Sequence, residues 1–572
     1  MKKFLVIIPA LVLMSGLSAC SDSYLEDINT DKSKATSMDA NALLTNALLQ
    51  PYGDFGLMDT YRSYITGFTQ YMAGGWNVTT YAGSVHSNND QMRLVWDQFY
   101  QVGIKNLVDG IANSKDQPNL NAILRIHFVY MISVLTDIYG DVPCLEAGRG
   151  YTDGVYTPKY DTQEEIYDFF FTELAECAAQ LGEGTDIVTG DVTAYDGNTA
   201  KWKKYANSLR MRFAMRISGV EPEKARTEFE AAVHDVAGYI DDSSYDAYVR
   251  YINGPFTLYD GSRDLDFRVN ALGEILYGQD PTSPSFVCST LYNQLRNSND
   301  PRLYRIVRHY INTKRSDVSP EGNVDVTDEV RAWEDGVGGG PHPCNPGAAW
   351  YSDWVNAPSN DLIPTLAALV AQDPAAGYDQ NNYPARMIRP FLSVEFERPQ
   401  CPGILFTSAE AEFLLAEACL NGWDVDGSAE DHFAAGVTAS MQLLNRHYLP
   451  SDQQIAQDET ESFVSSLLDN PVDVEAINTQ AWILHLTNPS EGWANLRRSD
   501  YPVLMDRQAL PTYGDFTYDD DNLQTPTRLK YPNDEAKYNS VNYKEALNRL
   551  SASGRDDWHV RLWWDVADIH VQ

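Results

Sequence analysis

The chain has 572 residues, 43% apolar and 22% charged, with a formal net charge of −37. This is an ordinary globular composition with a sizeable core, long enough for several domains. A field of that sign repels phosphate backbones and anionic headgroups, which argues against nucleic-acid binding and broad adsorption to lipid surfaces.

The chain opens on Met1-Lys2-Lys3, followed by an apolar stretch from Phe4 to Leu17 that Pro9 interrupts. A spanning helix needs about 20 apolar residues, so this stretch reads as the hydrophobic region of a signal peptide. Leu17-Ser18-Ala19-Cys20 matches a bacterial lipobox. Residues 1–19 are therefore expected to be a leader, with lipid attachment at Cys20 and an acidic tether over 20–39. Such a lipid holds a protein on a membrane without spanning it. No later stretch reads as long and apolar enough to cross a bilayer.

Residues 40–240 read as a helical region. Between Phe68 and Tyr81, aromatic and amide side chains mix outside a clean helix, and Gly74-Gly75 break any helix before Trp76. Trp76, Asn77 and Tyr81 are candidates for ligand contact, because concave sites place a few polar groups among apolar ones. Core packing of Trp76 is the plainer reading. Asp90 to Ile111 predicts a helix. Asn121 to Asp137 is apolar nearly all round, which predicts a buried helix stopped by Gly140 and Pro143. Thr162 and Glu165 have capping-box spacing. Over Ala200–Ser218, Trp202, Tyr205, Ala206, Leu209, Phe213 and Ile217 form one stripe, with Lys203, Lys204, Arg210 and Arg216 off it.

From Asp241 to Pro402, Gly, Pro, Asn and Asp punctuate short apolar runs, and long ordered loops often carry function. Tyr292, Trp333, Trp350, Tyr351 and Trp354 are the aromatic candidates for stacking there. Trp350 and Trp354 would share a face on a helical turn. Core anchoring of a loop region is the competing reading for all of them. Helices return in 403–572. Thr407 with Glu410, and Ser428 with Asp431, mark two helix starts flanking Asn421–Gly427, an αα-hairpin. Paired helices of this kind predict a helical-hairpin solenoid.

Beyond Cys20, six cysteines remain, none in a Cys-x-x-Cys pair; Cys177 and Cys419 read as buried thiols, and pairing among the others stays open. Asp424-x-Asp426-Gly427 lacks the remaining ligands of a calcium loop and reads as a turn and cap. With 10 His there is no zinc signature, and no nucleophile elbow appears. No metal or cofactor is expected.

Several segments together resemble one family. They are Leu135-Thr136-Asp137-Ile138-Tyr139-Gly140-Asp141-Val142-Pro143, the helix Lys201–Arg212, the hairpin around Glu410–Ala418 and Ala435–Ser440, Trp493–Pro502, Arg528–Pro532, and the ending Trp563-Trp564-Asp565. In this order, behind a lipobox, they resemble the SusD/RagB family of surface nutrient-binding lipoproteins of the Bacteroidetes. The resemblance implies an all-α fold of tetratricopeptide-like helix pairs with an inserted irregular loop-rich region. It implies an outer-membrane, surface-exposed, non-catalytic lipoprotein. Such a protein captures oligosaccharides, or in some members peptides, over a SusC-like TonB-dependent transporter.

Asp137, Tyr139 and Asp141 read as structural. Asp141 follows a helix C-terminus, where a carboxylate needs hydrogen bonds, and backbone amides or Arg210 or Arg212 are its expected partners. Two rivals are an acidic exported glycoside hydrolase, needing carboxylates about 5–10 Å apart, and a surface-layer or adhesive lipoprotein without a small ligand.

Overall fold

A computed structural model describes residues 38–53, 59–74, 76–254, 267–273, 285–312, 323–336, 390–506 and 524–566. The leader, Cys20, Cys344, Trp350, Tyr351 and Trp354 lie outside the described residues.

Helices dominate. In chain order they include α1 (Ala40–Gly53), α2 (Lys105–Asn113), α3 (Pro118–Tyr139), α4 (Gln163–Gln180), α5 (Thr199–Arg216) and α6 (Pro222–Val233). There follow α7 (Ser289–Asn297), α8 (Thr327–Gly336), α9 (Ser408–Leu420), α10 (Ala429–His447), α11 (Gln457–Leu467), α12 (Val474–Leu484), α13 (Pro489–Ser499) and α14 (Ser540–Leu550). Helices α1 to α6 pack on their chain neighbours, α5 packs on α9, α9 on α10 and α12, and α13 returns to α3. This is the paired-helix, tetratricopeptide-like order that the sequence predicts. Residues 40–572 form one compact unit.

α3 is the centre. Leu120, Ile123, Leu124, Ile126, Val129, Met131, Ile132 and Leu135 are all fully buried. By length and composition α3 could cross a membrane, contrary to the expectation for the chain after its leader. However, 94% of its apolar window is buried inside the protein. Its hydrophobicity is satisfied by packing. Gly140 ends α3 with φ 96° and ψ −132°, a conformation that side chains with a Cβ rarely adopt.

Local signals work as expected at the helix starts. Thr162 closes a full capping box with Glu165, and Ser428 caps α10. At α9, Thr407 accepts from the Glu410 amide at 3.3 Å, but the Glu410 side chain does not reach back, because it is engaged by Arg212. The α9–α10 hairpin turns through Gly422 (φ 68°) and Gly427 (φ 91°). Asp90–Ile111 is helical but broken into short turns, with a π-helical segment at Phe99–Ile104.

The stripe of α5 is buried as predicted, and so are Arg210, Arg212 and Arg216 on its other faces. α5 is enclosed all round by α4, α6 and α9, so its arginines need carboxylate partners within the core.

Strands are short and antiparallel: β1 (Met72–Gly74) with β3 (Ser285–Val287), β2 (Ala247–Val249) with β8 (Gly403–Phe406), β4 (Val307–Arg308) with β7 (Phe391–Leu392), and β5 (Tyr310–Asn312) with β6 (Asn323–Asp325). The β2–β8 ribbon ties the two ends of the loop-rich 241–402 excursion. Ala73, Phe286, Cys288, Tyr310 and Phe391 form a small second core there. Among the described residues, Cys144, Cys177, Cys401 and Cys419 are free thiols, with Cys177 fully buried and Cys419 half-buried.

Candidate ligand-binding site

The site builds from the stretch between α1 and α2. Arg62 lies on a π-helical turn, Tyr61–Ile65, and Tyr81 on another, Thr79–Gly83. Such turns often sit at functional positions. Between them, β1 ends at Gly74 and a single helical turn, Trp76–Val78, carries Asn77. Asp59 and Arg62 form an ion pair whose side chains are only 16% and 7% exposed. Asn77 is half-buried against this pair; with its oxygen facing Arg62, it accepts from Arg62 Nε at 3.0 Å. A charge-assisted bond of this kind holds the amide in one orientation.

Tyr81 is 7% exposed. Its ring lies 5.7 Å from Tyr64 and stacks on His86 at 6.0 Å, and burial together with Asp59 pushes its phenol pKa up. Tyr81 is therefore a packing residue behind Asn77, because its ring completes the Tyr64 cluster. Thr80 Oγ1, beside it, is buried without a hydrogen-bond partner among the described residues.

The other candidates fall differently. Tyr292 is 1% exposed in the main core, so it offers no face for stacking: α7 turns that side inward with Leu291 and Leu295. Trp76 and Trp333 lie on helical backbone, but the placement of their side chains is outside the description, as are Trp350, Tyr351 and Trp354 altogether. Asp59 and Arg62 carry no signal of their own in the sequence. An Asp and Arg three residues apart are an everyday helix pair.

The signature turn is structural. Asp137 Oδ1 accepts from Tyr167 at 2.6 Å and from Trp564 Nε1 at 3.0 Å, and the Tyr139 hydroxyl donates to the Met92 carbonyl. Asp141 accepts from the Gln163 amide at 3.1 Å and from Arg549 Nε at 2.8 Å. The backbone partner follows the expectation; the arginine does not. Arg210 pairs with Glu228 and Arg212 with Glu410, because α5 turns both away from the α3 C-terminus.

Glu410, His485 and Glu491 bring ligand-type atoms within 4.8 Å of one another. Their chemistry is that of an ion-pair network. Arg212 donates to both Glu410 oxygens, at 2.6 and 2.7 Å, and Arg216 to both Glu491 oxygens at 2.6 Å. Burial pushes the Glu491 carboxyl up, but Arg216 and Arg212 outweigh it and hold it down. Glu410 faces Arg212, and burial keeps its carboxyl raised. Two guanidinium groups beside this cluster disfavour a cation.

Comparisons agree with this architecture. Residues 32–330 match a family model described as starch-binding associating with the outer membrane, and residues 375–565 match the SusD and RagB outer-membrane lipoprotein model. A solved SusD-like protein from Bacteroidetes AC2a is 36% identical with a TM-score of 0.82, covering 92% of this chain and 100% of its own. A chitin-binding protein is 28% identical, TM-score 0.69, with the same coverage. A SusD homologue from Bacteroides uniformis, 21% identical with TM-score 0.65, covers 92% of this chain and 99% of its own and shares the fold. A search of curated proteins returned no match. The chain belongs to the SusD/RagB family of outer-membrane nutrient-binding lipoproteins.

Proposed function

We propose that this protein captures neutral oligosaccharides at the cell surface and passes them to a SusC-like TonB-dependent transporter, held there by a lipid on Cys20. The observation that carries the reading is the half-buried Asn77 amide, oriented by the Asp59–Arg62 pair on a glycine-broken segment. An amide fixed by a buried ion pair suits a sugar hydroxyl, which both donates and accepts. The family description names starch, and a relative of 28% identity is a chitin-binding protein. In this reading Trp76, Trp333, Trp350 and Trp354 are the candidates for stacking on the sugar rings, and Tyr81 packs behind Asn77.

The test is calorimetric titration of residues 21–572 with maltohexaose and chitohexaose, followed by assay of the mixture for new reducing ends. Saturable binding without cleavage is expected, and Asn77→Ala should weaken it about tenfold, the loss of one oriented hydrogen bond. Absence of saccharide binding overturns the glycan reading in favour of peptides. Released reducing ends point to a hydrolase. Co-purification of the lipidated protein with a large β-barrel tests the transporter partnership.

A further inference from the structure

A groove of about 680 Å³ lies elsewhere on the surface, between the Trp96–Lys105 stretch, the loop that follows the signature turn, and the Pro532–Asn539 segment. Among the described residues, neither Asp59, Arg62, Asn77 nor Tyr81 lines this groove. Its size is that of small-ligand sites, which run from about 300 to 1,000 Å³. Three tyrosines line it in the open: Tyr151 is 84% exposed, Tyr156 82% and Tyr538 64%. Large apolar rings gathered at one exposed place mark a binding surface.

The groove is built in advance of any ligand. Asn539 donates to the Pro158 carbonyl at 2.8 Å, Asn542 to that of Thr157 at 2.9 Å, and Arg549 to that of Tyr160 at 2.9 Å. The Tyr160 hydroxyl bonds Glu535 at 2.7 Å. These contacts fix the loop wall to the C-terminal wall. Trp96, in edge contact with Tyr531 at 5.9 Å, forms the floor. A wall that need not be ordered on binding costs less affinity.

The charges select the ligand class. Arg93 is clamped by Asp97 at 2.6 Å and Asp534 at 2.9 Å, so it is not free to receive an anion. Lys105 lies over the Tyr151 ring at 5.1 Å, and the Gln101 amide has no hydrogen-bond partner among the described residues. Flat apolar faces, the Gln101 amide, and a groove whose arginine is already neutralised fit a neutral pyranose chain; the Tyr538 hydroxyl already accepts from Lys537 at 3.0 Å. We infer that this groove is a second saccharide site, separate from the Asn77 site, that grips the same polymer at another point. This rests on the glycan reading above. Two sites on one chain raise avidity for a long polysaccharide beyond that for a short oligosaccharide.

The experiment compares wild type, Tyr151→Ala/Tyr156→Ala and Asn77→Ala by calorimetry with maltohexaose and chitohexaose, and by affinity electrophoresis in the matching polysaccharides. Both tyrosines are exposed, so the double variant should keep the wild-type melting temperature. Wild type should bind two oligosaccharides per chain, the tyrosine variant one, and Asn77→Ala two, one of them about tenfold more weakly. The double variant should lose about tenfold in polymer affinity. A single wild-type site, weakened by Asn77→Ala and untouched by the tyrosine changes, overturns the groove while leaving the glycan reading intact. Full saccharide binding by the tyrosine variant with loss of a co-purifying barrel also overturns it, in favour of a protein contact. No saccharide binding by the wild type sinks the glycan reading itself.

Discussion

Several titratable side chains are buried in the core, and their shifted titration couples stability to pH. His127 is fully buried, with Nε2 3.0 Å from the Ala47 carbonyl and Nδ1 without a partner among the described residues, and burial holds its pKa down at about 4. In the unfolded chain it titrates near 6.5. The stability it contributes is therefore present above about pH 6.5 and lost as pH falls toward 4, about 3 kcal/mol over the window. Asp246 and Asp565, which burial raises to about 6, act oppositely: their stability is lost as pH rises through 6. The variant is thus more telling than the wild-type slope. His127→Gln should flatten the fall in melting temperature between pH 6.5 and 4, and an unchanged slope would refute the assignment. Asp141→Ala removes the Arg549 pair and the Gln163 amide bond together. We expect a loss of about 1–3 kcal/mol by urea unfolding with saccharide affinity intact. An unchanged unfolding curve with lost binding would make Asp141 a ligand residue instead.

Elements depend on close approaches as much as on caps. In the α9–α10 hairpin, a Cβ on Gly436 would stand 2.6 Å from the Phe413 ring, so the two helices meet through the absence of a side chain. Gly436→Leu should cost about 1–3 kcal/mol or more through overpacking, read as a lower melting temperature. Thr162→Ala should cost about 1 kcal/mol, the loss of an N-cap. The starts of α4 at Thr162 and α10 at Ser428 were legible in the sequence because caps and turns act within four residues. That range also explains the miss at α9: Thr407 caps as its spacing predicts, while Glu410 is drawn away by an arginine 198 residues distant.

At the scale of the whole molecule, the C-terminal end closes the core that α3 begins. Trp564 donates to Asp137, Arg497 bonds the Asp137 carbonyl at 2.7 Å, and the Leu529 amide bonds that of Ile138 at 2.8 Å. Trp564→Ala leaves a cavity and an underbonded carboxylate beside Arg216. It should cost about 3–5 kcal/mol in denaturant unfolding, and a loss below about 1 kcal/mol would show that the tail is peripheral.

Helix positions, hairpin order and family membership were legible in the sequence, because periodicity, caps and glycine stops are local and the family segments occur in a set order. Tertiary structure alone decided that Arg549 rather than Arg210 or Arg212 meets Asp141, that Tyr292 and Tyr81 face the core, that Asp59 and Arg62 stand behind Asn77, and that segments near 100, 150 and 535 wall one groove. The physical reason is range. A helix repeats its apolar face every few residues and so announces itself, whereas the partner of a buried charge or the wall of a groove is set by where the chain returns, which no local spacing encodes.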